Sequence, residues 1–228
     1  MSKECCVVIG SSKGLGAALV NELIASHYRL VIGVARTEFD ELPAYESLRK
    51  SKKYFHVVAD VTSDNCLDKL INLYGKFLGD SLTVIFNAAK RTPDVDKENN
   101  INFDEISNTN KVGIFGLINV IKAFEKYWLA NNGKLIGISS INAIYPPILE
   151  HRISYGATKT YMDMLLRNLS ILWNDRVNIT TIHLGHIGGG YDHNILPKYL
   201  QGSYTKAAKK IMKIITKTKP PVEVTWPA

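Results

Sequence analysis

Apolar and polar positions alternate along this chain in two distinct rhythms. Short unbroken apolar runs of five to six residues give way to longer stretches with apolar residues three and four apart. The first rhythm belongs to strands buried on both faces, the second to helices with one buried stripe. Strands are predicted at Cys5 to Ile9, Leu30 to Ala35, Tyr54 to Ala59, Leu82 to Phe86, Lys134 to Ser139 and Val177 to His183, with Val222 to Trp226 as a final edge strand. Helices are predicted at Leu15 to Ser26, Glu41 to Lys53, Cys66 to Leu78, Asp104 to Ala130, Ser154 to Trp173 and Thr205 to Thr218. The second of these has the weakest stripe. The polar run from Lys90 to Asn102, which holds Pro93, reads as a loop, and Asn131-Asn132-Gly133 as a helix stop.

Strands alternating with helices imply an α/β fold. It is a doubly wound parallel sheet of six to seven strands with helices on both faces. With no internal repeat, low-complexity tract or linker, residues 1–228 read as one Rossmann-type domain.

Composition changes this picture little. The net charge of +7 favours anionic partners in general. No nucleic-acid-binding motif accompanies that charge, so a nucleic-acid role ranks last. No apolar stretch is long enough to span a membrane, and Met1-Ser2-Lys3-Glu4 leads straight into a strand-like run without a secretory leader. Cys5, Cys6 and Cys66 have no metal-type spacing, and the first two read as small buried hydrophobes. A reducing, cytoplasmic setting fits this usage, and no metal site is expected.

The candidate chemistry begins at the end of the first strand. Gly10-Ser11-Ser12-Lys13-Gly14-Leu15-Gly16 runs directly into a helix. Residues without Cβ let such a turn stay tight, so that backbone N–H groups and the helix N-terminus face a pyrophosphate. The second strand ends Val34-Ala35-Arg36, without the acidic residue that would engage the ribose hydroxyls of NAD. Arg36 can grip a 2′-phosphate as a fork and Lys13 adds a second cation, so NADP (as NADPH) is favoured. Further on, Tyr155-Gly156-Ala157-Thr158-Lys159 opens a helix. Residues four apart share a face, so phenol and ammonium can enter one site. A free tyrosine titrates near ~10, and a neighbouring cation lowers that value, making the hydroxyl usable as acid or base.

These motifs resemble the short-chain dehydrogenase/reductase family, whose glycine turn reads T-G-x-x-x-G-x-G. Ile9 stands here in place of the threonine. The resemblance implies a cofactor cradle of Gly10, Ser12, Lys13, Gly14, Leu15, Gly16 and Arg36, joined by Asp60-Val61 at the adenine and by Asn87-Ala88-Ala89. The family has N-N-A-G at the last position, so Phe86 and Ala89 depart from it. It further implies a catalytic set of Asn110, Ser140, Tyr155 and Lys159, with Tyr155 and Lys159 also touching the cofactor. Ser140 rather than Ser139 aligns with the family's substrate-holding serine. Asn110 lies in the context N-x-x-G, where the family bends the helix and holds a water that relays protons to the lysine. After the sixth strand the family reads P-G-x-V/I-x-T. Gly185 and Ile187 match as cofactor contacts, whereas Leu184, His186 and Gly189 break the pattern.

The expected activity is hydride transfer between NADPH and a small ketone or aldehyde, with Tyr155 as proton donor or acceptor. The altered loop from Leu184 to Gly189 motivates an alternative, a non-catalytic NADP-binding sensor. Lys206, Lys209, Lys210, Lys213 and Lys217 form a basic stripe that is either a solvated helix face or an attractor of an anionic substrate. The resemblance also implies a homodimer or homotetramer. Ile114, Phe115, Leu117, Ile118 and Ile121 offer an apolar face for it, although the sheet would cover the same face equally well.

Overall fold

A computed structural model of the chain describes residues 4–43, 45–79, 81–146, 151–174, 176–187, 202–217 and 223–226. Pro147, Gly188-Gly189-Gly190 and the predicted element ends Thr218 and Val222 lie outside them, as does most of the segment between the sixth strand and the last helix.

The elements run β1 (Cys5–Ile9), α1 (Gly14–Ile24), β2 (Leu30–Ala35), α2 (Tyr45–Leu48), β3 (Tyr54–Val58), α3 (Asp68–Tyr74), β4 (Leu82–Phe86), α4 (Phe103–Asn110), α5 (Gly116–Asn131), β5 (Lys134–Ser140), α6 (Ile153–Trp173), β6 (Asn178–Leu184), α7 (Tyr204–Ile215) and β7 (Glu223–Trp226). Among the described residues, seven strands form one sheet in the order β3-β2-β1-β4-β5-β6-β7. Every neighbouring pair is parallel. The α/β expectation therefore holds, with the seventh strand at an edge.

Alternation along β1 shows why two helical layers are needed. Cys5, Val7 and Ile9 enter a core with Phe86, Leu117, Phe124 and Trp128. Cys6 and Val8 enter the opposite core with Leu19, Leu23, Ile211 and Ile215. A strand points successive side chains to opposite faces, so a wholly apolar strand must be covered twice. Removing each of these large side chains from water contributes roughly 1.5–3 kcal/mol. Cys5 and Cys6 are fully buried, and burial pushes the Cys5 thiol up to about 12, so neither is a reactive thiol under ordinary conditions.

Three helices depart from the periodic reading. The predicted helix at Glu41 to Lys53 shrinks to the single turn of α2, because Leu42 and Leu48 are its only buried apolar residues among those described. The predicted helix at Cys66 to Leu78 tightens after Tyr74 into a 3-10 turn over Gly75–Phe77, which leaves Phe77 partly outside. The long helix predicted from Asp104 to Ala130 is interrupted by a π-helical turn at Lys111–Phe115. Gly113 explains the close approach at this turn, since a Cβ there would lie 2.0 Å from Thr158 Cγ2. The apolar stripe of this segment also divides. Leu117 is buried in the core, whereas Phe115 is 56% exposed.

The strand order reverses between β1 and β4. Open α/β sheets bind ligands at such a point, in the crevice outside the carboxyl ends of the strands.

Candidate active site

A cleft of about 1050 Å³ opens over these carboxyl ends. Its outer part is built on the glycine turn. Gly10 has φ +86°, in the left-handed region that penalises a side chain, and a Cβ there would lie 2.8 Å from Ala88 Cα. A Cβ on Gly16 would lie 1.9 Å from the Gly10 carbonyl oxygen, so the first turn of α1 can close on β1 only as glycine. Asn87 Nδ2 donates to Gly10 O at 2.9 Å and Asn87 N donates to Ile9 O at 3.0 Å, bracing the ends of β1 and β4 together. Lys13 occupies the N-cap of α1 without a side-chain cap bond. The first N–H groups of an 11-residue helix are thus available to an anion.

At the end of β2, Arg36 is 76% exposed, with Nη1 3.9 Å from Asp60 Oδ2. Asp60 Oδ1 accepts from Thr62 N at 2.9 Å and Thr62 Oγ1 at 2.8 Å, which holds the carboxylate at the cleft wall. Asn119 Nδ2 on α5 donates to Val61 O at 2.9 Å and fixes the same turn from behind. An uncapped helix N-terminus and a glycine cradle fit the pyrophosphate of a dinucleotide.

The inner part is built on α6. Tyr155 and Lys159 are both buried at its first turns and both line the cleft. Lys159 Nζ donates to Ile138 O at 2.7 Å and lies 5.8 Å from the Tyr155 ring centroid. Burial holds the Lys159 ammonium down to about 8; the Asp163 carboxylate opposes that shift and Arg91 adds to it. One turn deeper, His183 Nε2 and Asp163 Oδ2 are 2.6 Å apart. Ser139 and Ser140 end β5 at the cleft, and Ser140 Oγ accepts from Asn142 N at 3.2 Å.

The position of Tyr155 depends on a residue far away in sequence. Arg152 at the N-cap of α6 makes no side-chain cap bond. Asp94, fully buried in the loop after β4, supplies the cap instead. Its carboxylate accepts from Ile153 N at 2.7 Å, from Ser154 N at 2.8 Å and from the Ser154 hydroxyl.

Most residues expected at the site do line the cleft, from Gly10, Ser12, Lys13 and Leu15 to Gly185 and Ile187. Gly14, Gly16 and Asn110 do not. The two glycines act through the turn, Gly14 lying against the Tyr204 ring. Asn110 sits where α4 passes into the π turn, with Oδ1 3.2 Å from the Thr158 hydroxyl. That hydroxyl is also 2.8 Å from Ser154 O, so its single proton serves one of the two acceptors. Arg91, Arg152 and Asp94 were not expected here. Their only sequence signal was cationic and acidic residues in stretches that read as loop.

A family model described as short chain dehydrogenase matches residues 4–199. The chain belongs to the short-chain dehydrogenase family. It is 29% identical over 176 residues to 3beta-hydroxysteroid dehydrogenase 1 of Eggerthella lenta, covering 75% of this chain and 65% of that protein. It is 26% identical over 219 residues to estradiol 17-beta-dehydrogenase 2 of Rattus norvegicus, covering 93% and 54% respectively. The chain therefore spans about half to two thirds of the length of these curated relatives. Its fold matches a short chain dehydrogenase from Burkholderia cenocepacia solved in complex with NADP. That match has a TM-score of 0.80 at 20% identity and covers 100% of this chain and 90% of the other. Serine dehydrogenase from Escherichia coli superposes with a TM-score of 0.81 at 17% identity, covering 98% and 97%.

Two of this chain's departures from the family pattern are accommodated by packing. Ile9, in place of threonine, is fully buried against the α5 side of the sheet. Leu184, in place of proline, ends β6 in the opposite core, and the chain beyond it is held by Gly202 N donating to His186 O at 3.1 Å. Lys206, Lys209, Lys210 and Lys213 on α7 and Lys217 just beyond it are exposed, and none is among the described residues that line the cleft, which makes that stripe a solvated face.

Proposed function

We propose that this protein is an NADP-dependent reductase of a small ketone or aldehyde. The buried Tyr155–Lys159 pair, at the inner end of a cleft whose outer end carries Arg36 and the glycine turn, is the observation that carries this reading. Gly10, Ser12, Lys13, Leu15 and Gly16 would hold the pyrophosphate, directly or through the turn. Arg36 and Lys13 would bind the 2′-phosphate, Asp60 and Val61 the adenine, and Asn87, Ala88, Ala89, Gly185 and Ile187 the nicotinamide half. When bound there, the reduced nicotinamide would supply the hydride that the carbonyl carbon gains. The Ser140 hydroxyl donates a hydrogen bond to the substrate oxygen and so orients it. Tyr155 gives its hydroxyl proton to that oxygen as the C=O pair localises there. Lys159 faces the resulting phenolate, whose charge it balances. Asn110, at the head of the π turn, positions the proton path that restores Tyr155.

Calorimetric titration with NADPH and NADH, followed by an NADPH-oxidation screen over carbonyl compounds, tests this function. Tighter binding of NADPH and turnover of a carbonyl compound are expected. Failure to bind either nucleotide would overturn the reading.

A further inference from the structure

We propose that His56 is a positioning residue for the nucleotide's 2′-phosphate, tying the Thr37 carbonyl oxygen to β3 and so keeping it off the phosphate. The proposal rests on the NADP reading above and adds the residue that selects this nucleotide through the backbone.

The turn after β2 carries Arg36 and Thr37 into the outer cleft. His56, on the neighbouring β3, has Nε2 2.8 Å from Thr37 O. A carbonyl oxygen only accepts, so Nε2 bears the proton and donates. In the neutral ring Nδ1 is then an acceptor, and the Tyr54 hydroxyl donates to it at 3.0 Å. One tautomer thus satisfies both neighbours. Burial favours this neutral form, pushing the imidazole below its ordinary value against the Thr37 carbonyl and the Glu38 carboxylate. The Phe39 ring stacks on the imidazole with centroids 5.8 Å apart.

The same pair reaches the glycine turn. Tyr54 and His56 are two apart on β3 and share one face. A Cβ on Gly33, the β2 residue paired with His56, would lie 2.2 Å from the Tyr54 hydroxyl and 2.8 Å from Ser11 Oγ. Glycine at this position leaves room for the phenol to meet Ser11 at the start of the turn. One phenol–imidazole pair therefore braces both the pyrophosphate turn and the Arg36-Thr37 turn.

A phosphate is drawn to N–H and O–H donors and repelled by a bare carbonyl oxygen. Across a planar peptide, the Thr37 carbonyl and the Glu38 N–H point in opposite directions. Holding the carbonyl against β3 leaves the N–H directed away from the sheet, and releasing it lets the oxygen turn towards the phosphate. Arg36 supplies attraction from a long, exposed side chain, whereas His56 fixes the backbone beside it. A ribose hydroxyl tolerates either orientation, because it donates as well as accepts. The bond from His56 therefore favours NADPH over NADH and does little for nucleotide binding in general.

Adenosine 2′,5′-bisphosphate and adenosine 5′-monophosphate differ only in the 2′-phosphate and need no carbonyl substrate. Calorimetric titration of each into the full chain gives an affinity ratio, with thermal melts to show that each variant folds. Wild type should bind the bisphosphate more tightly. His56→Leu should lower the ratio about tenfold, the scale of one hydrogen bond, and leave the monophosphate within about twofold. His56→Gln, whose amide can still donate to Thr37 O, should retain most of the ratio. An unchanged ratio in His56→Leu overturns the proposal. Equal weakening of both probes also overturns it, by making His56 a structural residue only. Where His56→Leu does not fold, Tyr54→Phe decides: the ratio should fall, and an unchanged ratio overturns the proposal. A wild type that binds both probes alike would remove the NADP reading itself, and this proposal with it.

Discussion

Lys159 Nζ donates to the carbonyl oxygen of Ile138 at 2.7 Å, so the ammonium beside Tyr155 is held by the end of β5 and not by solvent. Its native form releases a proton near pH 8, while an unfolded lysine keeps it to about 10.5. Between those values the unfolded chain binds more protons, so stability contributed at this site rises with pH. Below pH 8 the full cost of the buried charge is present. Lys159→Met removes that cost and also removes one charged hydrogen bond, leaving a net gain of about 1 kcal/mol. Thermal melts at about pH 6 and about pH 10 should show the variant ahead of wild type at the lower pH and the gap closing at the higher. A variant equally destabilised at both would contradict this account.

The Asp94 carboxylate caps a helix that begins 59 residues later in the chain. Asp94→Ala leaves two N–H groups of α6, one of them buried, and the buried Ser154 hydroxyl without their acceptor and should cost about 2–4 kcal/mol in denaturant unfolding. Asp94→Asn keeps one acceptor oxygen and should cost less. Because Tyr155 sits in the first turn of α6, kcat should fall in Asp94→Asn more than NADPH affinity does.

Arg36 is exposed at the cleft mouth, so its replacement tests nucleotide choice without disturbing the core. Arg36→Gln should weaken NADPH binding by about tenfold or more and leave NADH binding nearly unchanged, with stability within about 0.5 kcal/mol of wild type. Equal loss for both nucleotides would place the 2′-phosphate elsewhere.

Tyr161, Met164, Ile171 and Leu172 form an exposed stripe along α6 at helical spacing, and Phe115 is exposed at the π turn before α5. An apolar stripe of this kind suits a second copy of the chain. Light scattering should give the mass of a dimer or tetramer, and Met164→Glu with Ile171→Glu should lower it. A monomeric wild type would contradict the expectation.

Much of this architecture was legible because strands buried on two faces must be apolar throughout, as Cys5–Ile9 and Leu82–Phe86 are. The glycine turn was legible for a related reason, since Gly10 and Gly16 have no room for a Cβ. The π turn at Lys111–Phe115 was not, because periodicity over five residues barely distinguishes it from an α-helix. Nor was the role of Asp94 or Arg91. Both lie in a polar stretch with no period, and their partners, Ser154 and Tyr155, are more than fifty residues away. Such residues acquire meaning only when the loop after β4 meets the start of α6.

The measurement closest to the central claim is NADPH oxidation with the best carbonyl substrate, comparing wild type with Tyr155→Phe. Tyr155→Phe keeps the ring between Arg91 and Lys159 and removes only the hydroxyl. Loss of about 100-fold or more in kcat, with calorimetric NADPH affinity retained, is the predicted result. Turnover by the variant at a rate near wild type would contradict the assignment of Tyr155 as the proton donor.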